Sequence, residues 1–393
     1  MIIAQNIADS MNRSSWIRKM FEDGAKLKAI YGEDNVFDFS LGNPNLPPPP
    51  EFHEAVRELI SEEPPGIHGY MPNAGFPQVR QAVAEHLSEE QGMRIPGDNV
   101  IMSVGAGGAL NSVLRAILDP GDEIIVPKPF FVEYVSYAAN HGGVLKMVET
   151  REDFDISIEK IEEAITDKTR AVLINSPNNP TGKVYSESNL RELAELIETK
   201  SRELGREIFL IADEPYRAII FDDVEVPPIF PIFKRGILCS SFSKTLSLAG
   251  ERIGYVAVNP EMEGAALLVN ALTLTTRILG FVNAPAFIQR VVAKLMEAKV
   301  DIDYYRTNRD ILFEGLTEAG YKLRKPEGAF YLFPESPIPD DAEFCQMLLE
   351  EKILAVPGSG FMGPGYFRLA YCCSRETCQN ALPGFKRVLE KVK

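Results

Sequence analysis

Between residues 100 and 258, short apolar runs alternate with longer stretches of helical period, and nothing else in the chain limits its fold as strongly. The runs lie at 100–104, 123–126, 171–175, 208–212, 237–240 and 255–258. Helical patterns fall between several of them, at 109–118, 158–165 and 188–204. Strands that are apolar on both faces and joined by helices predict an α/β fold. Its sheet should be mainly parallel and covered by helices on each side. Ligands of such sheets bind beyond the carboxyl ends of the strands, so the residues that follow each run are the place to look for chemistry.

The flanking segments read differently. Upstream, a helix is expected over about 11–31, followed by the stiff run Pro47 to Pro50. Two helical patterns follow at 52–61 and 77–90, the second with Val79, Ala82, Val83 and Leu87 on one face. A loop rich in Pro and Gly separates them. Downstream, one long helical region at 285–318, short strands at 330–333 and 367–370, and a last helix at 375–391 predict a smaller α+β domain. A chain of 393 residues, 45% of them hydrophobic, is long enough for two cores.

Charge and cysteine usage narrow the partners. The net charge of −15 argues against nucleic acid or an anionic membrane surface. No stretch approaches the ~20 apolar residues of a membrane span. Residues 1–16 lack the basic start and apolar run of a signal peptide, so a cytoplasmic location is expected. Cys239, Cys345, Cys372, Cys373 and Cys378 are odd in number and irregular in spacing, which speaks against a disulfide framework. No histidine lies near the last three to complete a metal site, and no metal is expected.

The strand ends carry a recurring theme. After 100–104 comes Gly105-Ala106-Gly107-Gly108 and then a helix, a turn that aims backbone N–H groups at an anion or merely packs tightly. After 123–126 come Phe130 and Phe131, which can stack on a flat ring or fill the core. After 171–175 comes Ser176-Pro177-Asn178-Asn179-Pro180-Thr181-Gly182, a rigid loop suited to cis peptides, in which Asn179 can donate its amide to a ligand oxygen. After 208–212 comes Asp213-Glu214-Pro215-Tyr216. A carboxylate there is costly unless paired; a protonated ring nitrogen would pair it, and a helix N-cap would explain it equally well. After 237–240 comes Ser241-Phe242-Ser243-Lys244, with Arg252 eight residues past the lysine. Two hydroxyls and a guanidinium beside an amine are what a phosphorylated aldehyde needs, namely an anion cradle and a nucleophile for a Schiff base. An exposed loop lysine is the plainer alternative.

Taken in order, these segments make the chain similar to the class I/II aminotransferases that depend on pyridoxal 5'-phosphate (fold type I, the aspartate-aminotransferase-like fold). The likeness runs from about Asp38 to Tyr371. It rests on Leu41-Gly42-Asn43-Pro44, Gly69-Tyr70 with Gly75, Gly105-Ala106-Gly107, 178–182, 213–216, 241–244 with Arg252, and Phe367-Arg368-Leu369. The resemblance implies a large cofactor domain over 46–284, with a seven-stranded-type sheet between helices. It also implies a small domain built from 1–45 and 285–393.

Roles follow from the resemblance, residue by residue. Lys244 would carry the cofactor as a Schiff base and move the reaction's proton. Asp213 would pair with the ring nitrogen, Asn179 and Tyr216 with the phenolic oxygen, and Phe131 would stack on the ring. Gly105, Ala106, Gly107, Ser241, Ser243 and Arg252 would hold the phosphate, joined by Tyr70 from the neighbouring subunit of a homodimer. Arg368 would grip the substrate carboxylate, and Gly42 would let that carboxylate approach the backbone. The implied reaction passes an amino group from an L-amino acid to a 2-oxo acid in two half-reactions. A C–S β-lyase or a related elimination would use the same residues. A regulatory module that binds the cofactor without turnover is disfavoured by the acidic chain and by the roughly 35 residues before the first motif. Two departures, Asn43 and Phe131, lie toward the substrate. Arg277, in Thr275-Thr276-Arg277, reads either as a second carboxylate-binding arginine or as a helix-end surface residue. Trp16, Tyr70 and Phe131 would suit an apolar or aromatic substrate side chain, or simple packing.

Overall fold

The structure, a computed structural model, describes residues 26–392 together with 2–5, 7, 8, 11 and 24. Residues 26–31 are helical. Most of the helix expected over 11–31, Trp16 included, lies outside the described residues.

The strands in chain order are β1 (Phe37–Asp38), β2 (Val100–Ser103), β3 (Glu123–Lys128), β4 (Val144–Glu149), β5 (Thr169–Asn175), β6 (Phe209–Asp213), β7 (Gly236–Ser241), β8 (Gly254–Val258), β9 (Tyr331–Leu332), β10 (Ile353–Leu354), β11 (Val356–Pro357) and β12 (Phe367–Ala370). Seven form one sheet in the order β2-β8-β7-β6-β5-β3-β4. Only β8 runs against its neighbours β2 and β7; the other pairings are parallel.

The sheet is buried on both faces because its strands alternate between two cores. In β5, Val172 and Ile174 join one apolar cluster, while Ala171 and Leu173 join the other. In β6, Leu210 and Ala212 face the first cluster, and Phe209 and Ile211 the second. This two-residue period is why each run reads as continuously apolar. Helices Gly105–Ile117, Ile158–Ala164 and Glu187–Leu204 cross between strands as expected. The last opens with the Ser186 side chain accepting the amide of Asn189 and ends at Gly205 in the left-handed region.

Edge strand β4 was not anticipated. Only Val148 in it is buried, so it lacks the apolar density that marks the others. Helices Glu133–Asn140, Ala265–Ile278 and Asp341–Glu350 were also unanticipated. The helical region expected at 285–318 is two helices, Ala286–Val292 and Ile302–Ala319. The chain turns between them; the Val300 amide donates to the Thr245 carbonyl, and Asp301 caps the second helix through the Tyr304 amide.

A third cluster forms the smaller core. It joins Tyr305, Leu312 and Leu316 to Phe330, Leu332, Phe344, Phe367, Leu369 and Phe385. Its strands are the antiparallel set β11-β12-β9 and the parallel pair β1-β10. Helix Ala286–Val292, which follows the boundary expected near 285, packs Ile288, Val291 and Val292 into the large core. Among the described residues, no helix is long and apolar enough to cross a membrane.

Candidate active site

A cavity of about 340 Å³ opens where the carboxyl ends of the parallel strands meet the smaller core. It is lined by Gly42, Ala106, Gly107, Phe131, Asn179, Asp213, Tyr216, Ser241, Ser243, Lys244, Arg252 and Arg368, twelve of the fourteen residues singled out in the sequence. The other two, Gly105 and Tyr70, lie elsewhere. Gly105 has φ +66°, and a β-carbon there would come within 2.8 Å of Arg252 Nη2. It allows the guanidinium to settle on the backbone at the start of helix Gly105–Ile117, beside Ala106 and Gly107. Tyr70 is 92% exposed and borders a separate surface groove.

The Asp213 carboxyl sits at the end of β6, where no helix follows, so the N-cap alternative is excluded. The Tyr134 hydroxyl donates to Asp213 Oδ2 at 2.5 Å. Asp213 Oδ1 is buried with no partner among the described residues. Burial pushes the Asp213 pKa up to about 7, with adjacent Glu214 adding to the rise and the Tyr134 bond opposing it. Behind it, Asn175 donates from Nδ2 to the Asp213 carbonyl at 2.7 Å and accepts the Asn179 amide at 2.7 Å. The loop beyond β5 is thereby tied to the end of β6. Its Ser176-Pro177 and Asn179-Pro180 bonds are cis.

Lys244 follows β7 and donates from Nζ to the Gly42 carbonyl at 2.5 Å. Burial holds its pKa below the usual lysine range, and the Arg368 and Arg252 guanidiniums push the same way. The loop-lysine alternative therefore fails, because this amine is desolvated and aimed across the cleft. Gly42 is required by Tyr331, whose hydroxyl would lie 2.0 Å from a β-carbon at that position. The same hydroxyl shares a 2.7 Å hydrogen bond with the Tyr216 hydroxyl.

Arg368, in β12, is 6% exposed. It donates from Nη1 to Asn179 Oδ1 at 3.1 Å and from Nη2 to the Ser40 carbonyl at 2.6 Å. Its guanidinium lies over the Phe361 and Tyr331 rings, 4.4 and 4.6 Å from their centroids. Among the described residues, Nε is buried without a partner and no carboxylate is bonded to this cation. A buried guanidinium in such a setting needs an anion.

Tyr134, Tyr331, Asn175, Phe361, Glu133 and Tyr137 belong to the site and were missed in the sequence. Asn175 carried a signal, being the polar last residue of an apolar strand. Tyr134, Glu133 and Tyr137 lie on the unanticipated helix Glu133–Asn140. Arg277 is exposed in the last turn of helix Ala265–Ile278, outside this cavity. Cys373 and Cys378 face each other with sulfurs 3.5 Å apart, and all five cysteines are free.

The parts of the cavity are complementary to one kind of molecule. An unpartnered carboxylate oxygen waits for an N–H donor, a helix N-terminus with Ser241, Ser243 and Arg252 suits a phosphate, and a desolvated amine lies between them. The fold and this set define an enzyme that binds pyridoxal 5'-phosphate. The family model for aminotransferases of class I and II matches residues 34–385, and the chain belongs to that family.

Its relatives agree. A probable aspartate aminotransferase of Methanocaldococcus jannaschii is 33% identical over 91% of this chain and 94% of its own length. The aspartate/prephenate aminotransferase of Thermus thermophilus is 34% identical over 89% and 90%. A solved aminotransferase from Eubacterium rectale superposes with a TM-score of 0.97 at 41% identity, covering 100% of both chains. The Thermus thermophilus aspartate aminotransferase with maleate gives 0.84 at 30% identity over 95% and 96%. The protein is a pyridoxal-phosphate-dependent aminotransferase that moves an amino group from an L-amino acid to a 2-oxo acid.

Proposed function

We propose the following division of labour among the cavity's residues. Asp213 holds the cofactor's ring nitrogen and keeps it protonated, with Tyr134 and Asn175 fixing the carboxyl. Asn179 and Tyr216 donate to the phenolic oxygen, and Phe131 covers the ring. Ala106, Gly107, Ser241, Ser243 and Arg252 hold the phosphate. When bound, the cofactor supplies an electron sink for the bonds at the substrate Cα. Lys244 carries the cofactor between turnovers and moves the Cα proton. Its lowered pKa favours the neutral amine that can accept that proton. Arg368 binds the substrate α-carboxylate through its planar fork and so orients the Cα substituents.

The observation that carries this reading is the pair of unsatisfied buried atoms, Asp213 Oδ1 and Arg368 Nε, on two residues that line one cavity with Lys244. One suits a ring N–H and the other a carboxylate. The test is to incubate the holoenzyme with a panel of amino donors, with and without a 2-oxo acid acceptor. Turnover is expected only with the acceptor. Pyruvate and ammonia released without an acceptor would overturn transamination in favour of elimination.

The reading extends to a homodimer. Tyr70 is almost fully exposed, and Leu267, Leu274 and Ile278 on helix Ala265–Ile278 are exposed apolar residues. We assign that face to a second copy of the chain, whose phosphate site Tyr70 would complete. Sedimentation should give twice the mass of 43.7 kDa. Tyr70→Phe should weaken cofactor retention without dissociating the dimer.

A further inference from the structure

One side chain in the cavity has no part in this scheme. Glu133 opens helix Glu133–Asn140 two residues after Phe131 and lines the cavity with Arg368, Lys244 and Tyr331. It forms no ion pair within 4.0 Å among the described residues, and the only hydrogen bond recorded for its carboxyl is to its own backbone amide. Glu133 is an exposed residue. Glu133 and Arg368 line the same cavity; desolvation of its carboxyl raises the Glu133 pKa, and the Arg368 guanidinium opposes that rise.

A count of charges sharpens the point. Among the described residues, the only lysines and arginines lining the cavity are Lys244, Arg252 and Arg368. In the proposed scheme the first holds the cofactor, the second its phosphate and the third the α-carboxylate. Among the described residues, no lining cation remains for a carboxylate on the substrate side chain, and Arg277 lies outside the cavity. Glu133 adds a negative charge to the same space. A second carboxylate brought there would meet like charge, which disfavours it. An amine, amide or hydroxyl would find an acceptor with spare lone pairs.

Resting on the aminotransferase reading above, we propose that Glu133 is the specificity-determining residue of this enzyme. It selects amino donors whose side chains carry a positive charge or a hydrogen-bond donor, and it discriminates against dicarboxylic donors. The chain would thus differ in donor choice from the relatives named for aspartate.

The test uses the holoenzyme with pyruvate as acceptor and L-lysine, L-asparagine, L-alanine and L-aspartate as donors. Wild type should prefer lysine or asparagine to aspartate by at least about tenfold in kcat/KM, which corresponds to about 1.4 kcal/mol. Glu133→Gln keeps size and hydrogen bonding but removes the charge. It should raise kcat/KM for aspartate about tenfold relative to alanine, mainly through KM, and lower it for lysine relative to alanine. Wild type that prefers aspartate to alanine, or a Glu133→Gln variant with an unchanged aspartate-to-alanine ratio, would overturn the proposal. So would equal losses for every donor, since they show that Glu133 serves the helix start alone. Absence of turnover with all four donors and pyruvate, while other donor–acceptor pairs react, would overturn the specificity assignment and leave transamination standing. Ammonia released without an acceptor would overturn transamination itself.

Discussion

The two ends of the cavity are built in opposite ways. The cofactor end is assembled from consecutive strand ends of one sheet, where β5, β6 and β7 deliver Asn179, Asp213 and Ser241 to Lys244 side by side. The substrate end is assembled from segments far apart in the chain. Arg368 reaches Asn179 across 189 residues and Ser40 across 328. Tyr216 meets Tyr331 across 115. A parallel sheet places its strand ends in a row by topology alone, so the cofactor end needs little beyond the sheet. The substrate end depends on how a second core packs against the first.

Perturbing each end should therefore give different signatures. The largest effect is expected from Lys244→Ala, which should cut turnover by more than about a thousandfold and abolish the near-visible absorbance of the lysine-bound cofactor. Retained turnover would refute the assignment. Arg368→Gln should spare that absorbance while lowering kcat/KM for every donor by about 2–5 kcal/mol, as expected when a buried charge pair loses one partner. Loss of absorbance in this variant would show that the two ends are not separable. Tyr134→Phe removes the hydrogen bond that counters the upward shift at Asp213. A drop of about tenfold in kcat is expected, on the scale of one hydrogen bond to a charged group. Asp213 must be ionised to keep the ring nitrogen protonated, so the acid limb of the pH profile should move to higher pH. A shift to lower pH would contradict this account.

The smallest effect concerns stability without cofactor. The Asp213 pKa is raised in the folded state to about 7, above its ordinary value of 3.8. Folded protein therefore holds a proton that unfolded chain releases. Stability from this group is complete below the ordinary value and is lost as pH rises through about 7. Asp213→Asn has no such loss. Its Tm should exceed that of the wild-type apoprotein at pH 8 and converge with it near pH 4, as measured by thermal unfolding. An equal offset at both pH values would place the effect elsewhere.

The same contrast explains what could be read in the sequence. Each strand of the cofactor end is buried on both faces, so it stands out as an apolar run, and its functional residue comes next in the chain. That is how Lys244, Asp213 and Asn179 were legible. Edge strand β4, with one buried residue, had no such signal. At the substrate end, β9 and β12 could be found as strands, but nothing local to Tyr331 reports that its hydroxyl meets Tyr216 and presses on Gly42. Gly42 was noted for backbone access, whereas the packing constraint on it comes from Tyr331. Tyr134 and Glu133 were hidden because their helix has only eight residues and follows the aromatic pair at 130–131. The helical period does not by itself mark where one core gives way to the other. Helices Ala286–Val292 and Ile302–Ala319 share one helical period in the sequence but belong to different cores.

The bond between Lys244 and the Gly42 carbonyl joins these two constructions. A lysine nitrogen engaged in a Schiff base has fewer N–H groups to offer, so loading it should weaken this hold on the segment that carries Leu41 to Pro44, which the Cys372 thiol also bonds at the Leu41 carbonyl. The state of the cofactor end would thereby reach the substrate end through one weakened contact. That segment should be the part of the surface that a protease distinguishes between the empty and the loaded protein.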